Sequence, residues 1–259
     1  MSTLLSLQNV SAGYGGKTII RNVSFDLCEG EICALFGLNG SGKTTLLKSI
    51  CGLLPLQSGR YFVNGNDCTK LHELRRAQFI SYIPQRYSKL IGVTVLDAVL
   101  MGCNVKLGLF DFPSTSDRTL ALDTLEKMGI AHLAGEDFSR LSEGQKQLTV
   151  LARTLLQDAP VMFMDEPDSA LDFPARHLML ERIRQLIHNE GKAALVTLHD
   201  PNLALNYCDR LLVLHDGAIV ADINLVETKE ADIESALSTV CGSISVIKHS
   251  KRFIILYET

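Results

Sequence analysis

Residues 37–45 read "GLNGSGKTT", and their types and order suit the binding of a phosphate chain. Gly37, Gly40, Gly42, Lys43 and Thr44 fit G-x-x-x-x-G-K-[ST]. Glycines let the backbone curl until successive N–H groups converge on one anion. A helix starting at the end of the run adds the positive end of its dipole. Lys43 would reach the β- and γ-phosphates, and Thr44 would offer its hydroxyl to Mg²⁺. Thr45 is expected as a second phosphate contact, and Asn39 and Ser41 complete the nucleotide-binding set. Taken alone, the run says nucleotide phosphate and no more.

Two further stretches carry chemistry. "VMFMDEP" puts Asp165 at the end of an apolar run, with Glu166 next to it. Ligands of open α/β sheets bind at such strand ends. Asp165 could hold Mg²⁺ through its water, and Glu166 could polarise an attacking water as a general base. In "LSEGQ", Ser142 and Gln145 stand three apart before an amphipathic run and fit a helix capping box. Gly144 is a poor helix former in the first turn. A glycine there suits a backbone that something must approach closely. On these residues alone the capping and contact readings both stand.

Elements must hold these groups in place. Ile32–Phe36, "VMFMD" and "AALVT" are continuous apolar runs, as in strands buried on both faces. "KTTLLKSI" has helical spacing and is followed by Gly52. "KTIIRNVSFDLCEGEICALFG" reads as short strands separated by a Glu-Gly turn, and "RLLVLHDGAIVAD" as a hairpin around Asp216-Gly217. Pro174 begins a helix that Gly191 ends. The expected fold is α/β, with a mainly parallel sheet, an antiparallel β edge and an inserted helical subdomain. One domain is expected: a core from 1–89 and 158–222, a helical insert over 90–157, and a tail over 223–259. Two strands are expected in that tail, with no role assigned.

Bulk properties limit the alternatives. The chain has 259 residues, 46% hydrophobic and 21% charged, an ordinary globular composition. Its net charge of −4 does not favour a nucleic-acid partner. Seven scattered cysteines without a C-x-x-C pair suggest reduced thiols in a cytosol, not a disulfide framework or a zinc site. No uninterrupted apolar run reaches the roughly 18 residues of a membrane span.

The phosphate loop, "LSEGQ", "VMFMDEP", "SALD" and then His199 together resemble an ABC-type ATPase over roughly residues 4–222. The resemblance implies a P-loop ATP hydrolase that uses ATP and Mg²⁺. It implies that Tyr14 stacks on adenine, and that Gln85 of "YIPQ" reaches the metal and water and senses a membrane partner. His199 is implied as the switch histidine near the γ-phosphate, and Glu166, His199 and Gln85 as the catalytic residues. Ser142, Gly144 and Gln145 become the signature loop and Asp172 the D-loop aspartate, both acting on the nucleotide of a second copy in a head-to-tail homodimer.

"YIPQ" followed by "VTVLDAVLMG" resembles the ATPases of metal-chelate importers, for iron-siderophore, haem or cobalamin. That implies separate permease subunits, an indirectly recruited substrate-binding protein, and a place on the cytoplasmic face of the cell membrane. Another importer or exporter system, or a non-transport ABC ATPase, is the alternative. The pattern departs from the family at Glu143, where Gly is common, and at Asp168, where Thr is common. "GQKQL" also replaces the usual "GQRQR". Glu143 is expected to point away from the phosphates.

Overall fold

The structure is a computed structural model that describes residues 2–85, 90–108, 110–250 and 252–257. In chain order the strands are β1 (Thr3–Tyr14), β2 (Lys17–Cys28), β3 (Ile32–Phe36), β4 (Leu56–Val63), β5 (Asn66–Asp67) and β6 (Ile80–Ile83). They continue with β7 (Val161–Asp165), β8 (Ala193–Thr197), β9 (Arg210–His215), β10 (Ala218–Asn224), β11 (Ile244–His249) and β12 (Arg252–Tyr257). The helices are α1 (Lys43–Ile50), α2 (Glu73–Arg76), α3 (Val95–Leu100), α4 (Thr115–Lys127), α5 (Glu143–Gln157), α6 (Phe173–Glu190), α7 (Pro201–Tyr207) and α8 (Glu230–Cys241).

A six-stranded sheet runs β10-β9-β3-β8-β7-β6. Its pairs are parallel except β9–β10, which closes one edge as an antiparallel hairpin. Every residue of β3, β7 and β8 is buried. The alternation of side chains explains why. Ile32, Ala34 and Phe36 enter a core shared with α3, α5, α6 and α7. Cys33 and Leu35 enter a second core shared with β1, β2 and α1. Both faces are covered, so these strands are apolar except at their last residues in β7 and β8, Asp165 and Thr197. Each fully buried Leu or Ile contributes about 1.5–3 kcal/mol by leaving water.

The second core lies against a four-stranded antiparallel sheet, β2-β1-β4-β5. The stretch read as short strands around a Glu-Gly turn therefore divides between two sheets. β2 is 12 residues long and pairs with β1, whereas β3 is 5 residues long and lies in the centre of the parallel sheet. Residues 95–157 contain α3, α4 and α5 joined by 3-10 turns, and α5 packs on α3, α4 and β6. In the tail β11 and β12 pair as a separate hairpin. They are preceded by α8, which the sequence reading did not assign. Its Ile233 and Leu237 are fully buried.

Candidate functional site

The turn from β3 into α1 carries the phosphate loop. Gly37 leaves the sheet so close to β9 that a Cβ there would lie 2.3 Å from the Leu214 carbonyl oxygen. Gly42 holds φ at +110° just before Lys43, a conformation that favours glycine. Lys43 is buried, and its Nζ donates to the carbonyl oxygens of Gly37 at 2.7 Å and Leu38 at 3.4 Å. The ammonium is thus tethered across the loop that it would share with a phosphate. Burial pulls its pKa down, and the nearby carboxylates of Glu166 and Asp165 oppose that. Asn39 and Gly40 are exposed, while Ser41 and Thr45 are buried.

The neighbouring strand end brings up the acids. Asp165 closes β7 and is buried. Its Oδ1 accepts from Thr44 Oγ1 at 3.2 Å and from Thr197 Oγ1 at 2.9 Å, and its Oδ2 from Tyr82 Oη at 3.3 Å. Glu166 follows at φ +52°, in the left-handed region that a non-glycine residue adopts at a cost of about 1–2 kcal/mol. Its N–H donates to Thr197 Oγ1 at 2.8 Å, which holds that backbone. The Glu166 carboxylate then meets His199 Nε2 at 2.7 Å through Oε1 and accepts from Gln85 Nε2 through Oε2. A carboxylate held between an imidazole and an amide can orient a water and take its proton.

Thr44, Asp165 and Gln85 offer a hydroxyl, a carboxylate and an amide. This all-oxygen set, with Thr44 and Asp165 already in contact, fits Mg²⁺, which takes one or two protein ligands and completes its shell with phosphates and water.

Thr197 and Tyr82 were not anticipated. Both serve Asp165 from adjacent strands, a proximity that arises only when β6, β7 and β8 are in register. The other predicted residues lie elsewhere. Tyr14 ends β1 and is 49% exposed. Ser142 and Gln145 form a reciprocal capping box at α5: Gln145 N–H donates to Ser142 Oγ at 3.3 Å, and Ser142 N–H to Gln145 Oε1 at 3.0 Å. The capping role is therefore realised within the chain. Asp172 caps α6, its Oδ1 accepting from Ala175 N–H at 2.9 Å. Glu143 turns back along its helix to Lys146 Nζ at 2.7 Å. Asp168 is buried with Oδ1 unpaired among the described residues, and burial pushes its pKa up.

Residues 20–169 match the ABC transporter family profile. The chain belongs to the ABC transporter family. Three curated relatives are each 36% identical to this cassette. One, from Helicobacter pylori, is named "Probable iron chelatin transport ATP-binding protein"; the match covers 82% of this chain and 84% of that one. A hemin import ATP-binding protein of Vibrio parahaemolyticus matches over 85% of each chain. A manganese transport system ATP-binding protein of Bacillus subtilis matches over 82% of this chain and 83% of its own. Among solved structures, a chain from an inward-facing ABC transporter assigned to the metal-chelate type superposes with TM-score 0.83 at 26% identity, over 99% of both chains. The cassette is an ATP-binding, ATP-hydrolysing subunit of P-loop fold.

Proposed function

We propose that this cassette is the motor of a metal-chelate importer, carrying a cargo such as iron-siderophore, haem or cobalamin through separate permease subunits. Two copies would close head to tail over two MgATP molecules. Lys43 and the loop from Gly37 to Thr45 would hold the triphosphate, Tyr14 the adenine, and Thr44, Asp165 and Gln85 the Mg²⁺. Glu166 would activate water, with His199 orienting it. The partner copy would supply Ser142, Gly144, Gln145 and Asp172.

The observation that carries this reading is an incomplete site. Thr44, Asp165, Thr197, Glu166, Gln85 and His199 form one contact network, and Ser142 is not in it: among the described residues no hydrogen bond joins Ser142 to the phosphate loop. Gly144 supports the same view. A Cβ there would meet only Leu171 Cδ2, at an ordinary 3.5 Å, so the chain itself does not require glycine at this position. Closure would convert γ-phosphate binding into a change in subunit separation.

In this reading residues 1–89 and 158–222 form the catalytic core and 90–157 the signature subdomain. Among the described residues no helix is long and apolar enough to cross a membrane. As the motor of such an importer, the cassette would sit peripherally on the cytoplasmic face of the cell membrane, with a substrate-binding protein engaged only through the permease.

The relatives named for hemin and iron chelatin support a chelate as cargo, and the manganese relative supports a bare divalent metal as the second reading. Uptake of radiolabelled hemin, ferric siderophore and Mn²⁺ by cells lacking the gene, restored by the intact gene but not by Glu166→Gln, separates the two. Restoration of Mn²⁺ uptake alone would replace the first reading by the second.

A further inference from the structure

A cavity of about 820 Å³ lies away from the phosphate loop, between the first turn of α6, helix α7 and the C-terminal hairpin. The hairpin wall is built in, not merely adjacent. Asn206 Nδ2 donates to the Phe253 carbonyl at 2.9 Å, and Phe253 N–H donates back to Asn206 Oδ1 at 3.2 Å. Ile255 N–H donates to Asn202 Oδ1 at 2.9 Å. Two asparagines one helical turn apart thus stand in for a neighbouring strand along the β12 edge. Glu234 Oε2 accepts from Val246 N–H on β11 at 3.1 Å. The tail is held to α7 by specific bonds, and the space between them is a formed site.

Its lining has two characters. Phe173, 72% exposed, and Tyr207 and Phe253, both buried, give it aromatic surface. Phe173 meets the His177 ring edge-on at 4.5 Å between centroids, and His177 Nδ1 lies 2.8 Å from Tyr207 Oη, which ties α6 to α7. The cations are Arg176 and Arg252. Arg176 Nη2 donates to the Leu171 carbonyl at 3.2 Å, but among the described residues its buried Nε has no partner. The Arg252 side chain has no hydrogen bond or ion pair among the described residues. Among the described residues Asp200 is the one carboxylate in the lining, and its Oδ1 is engaged by Asn202 N–H at 2.9 Å as the cap of α7.

Ligand pockets run from about 300 to 1,000 Å³, mostly apolar with a few convergent polar groups. Guanidinium groups select carboxylates, which they bind in a planar, paired geometry. We propose that this cavity is a second ligand site, for a small molecule with a flat aromatic body and a carboxylate, and that its occupancy modulates ATP turnover. The coupling follows from position. α7 begins at Pro201, two residues after His199, which meets Glu166; α6 begins one residue after Asp172. A ligand wedged between α6 and α7 sets their spacing, and with it the placing of both residues.

The test uses the full chain and 1-pyrenebutyrate, a fluorescent aromatic carboxylate, with the uncharged 1-pyrenebutanol as control. The first arm needs no nucleotide, so it stands or falls separately from the importer reading. Expected are one saturable site per chain, about tenfold weaker binding of the alcohol, and a similar loss in Arg252→Ala. Basal ATPase activity and thermal midpoint of Arg252→Ala stay as in the parent. Unsaturable partition, equal binding of acid and alcohol, or no effect of Arg252→Ala overturns the site. The second arm compares nucleotide-free protein with Glu166→Gln in saturating MgATP. Coupling is reciprocal, so the probe's affinity shifts by about fivefold or more. An unchanged affinity overturns the link to turnover.

Discussion

Thr197→Val probes how the strand ends hold the two acids. Thr197 is fully buried, and its hydroxyl makes two bonds: it accepts from Glu166 N–H at 2.8 Å and donates to Asp165 Oδ1 at 2.9 Å. Valine keeps the shape and removes both. A buried N–H left unpaired costs about 1–3 kcal/mol. The loss at Asp165 is smaller, because Thr44 Oγ1 still donates to the same oxygen at 3.2 Å. The sum is about 2–4 kcal/mol, a fall of roughly 5–10 °C in thermal midpoint for a chain of this size.

The effect on turnover is separate. Without its N–H anchor, Glu166 can relax from φ +52° to the ordinary region, which is lower by about 1–2 kcal/mol. Its carboxylate then leaves Gln85 and His199. Lys43 and the loop are untouched, so kcat falls about tenfold or more while KM for MgATP stays within about twofold. Steady-state phosphate release and a thermal melt measure both. Thr197→Ser, which keeps the hydroxyl, recovers most of kcat. An unchanged kcat at a lowered midpoint, or a KM that rises as much as kcat falls, would refute the positioning argument.

Asp168→Asn should raise the thermal midpoint at pH 7. The folded pKa of Asp168 lies above its unfolded value, so the residue stabilises fully only below the unfolded pKa and loses that contribution as pH rises through the folded one. The gain should vanish near pH 3 in melts across pH, and an equal gain at both pH values would contradict the argument. Asn206→Ala removes two bonds to Phe253, and amide exchange of residues 252–257 should accelerate about tenfold or more with the global midpoint little changed. Exchange identical to the parent would mean that the hairpin is held by apolar packing alone. Glu143→Gly breaks a half-exposed pair with Lys146 that is worth at most about 0.5 kcal/mol, so ATP affinity by calorimetry should stay within about twofold. A sharp rise in affinity would show that Glu143 faces the phosphates.

Much of the site is legible in the chain because each motif encodes its own local geometry. Gly42 and Gly217 mark turns at φ +110° and +79°, and the short apolar runs that make up β3 and most of β7 and β8 read as strands buried on both faces. Thr197 and Tyr82 are not legible. A threonine ending an apolar strand and a tyrosine in a short one have no signature until three strands align. α8 was missed for a related reason: only Ile233, Leu237 and Val240 of its 12 residues are buried, a sparse stripe amid polar residues. The capping box at Ser142 shows the opposite case. Its local role is plain in the chain, and any role toward a second copy depends on a juxtaposition that one copy alone does not make.

The central claim is that each nucleotide is closed by the partner copy. A crystal structure of Glu166→Gln with MgATP tests it directly. The account predicts a twofold dimer in which Ser142 Oγ lies within about 3 Å of a γ-phosphate oxygen of the nucleotide bound to the partner's phosphate loop, as a hydrogen bond requires. A saturated complex with Ser142 remote from every γ-phosphate, or bonded to the one in its own chain, would contradict it.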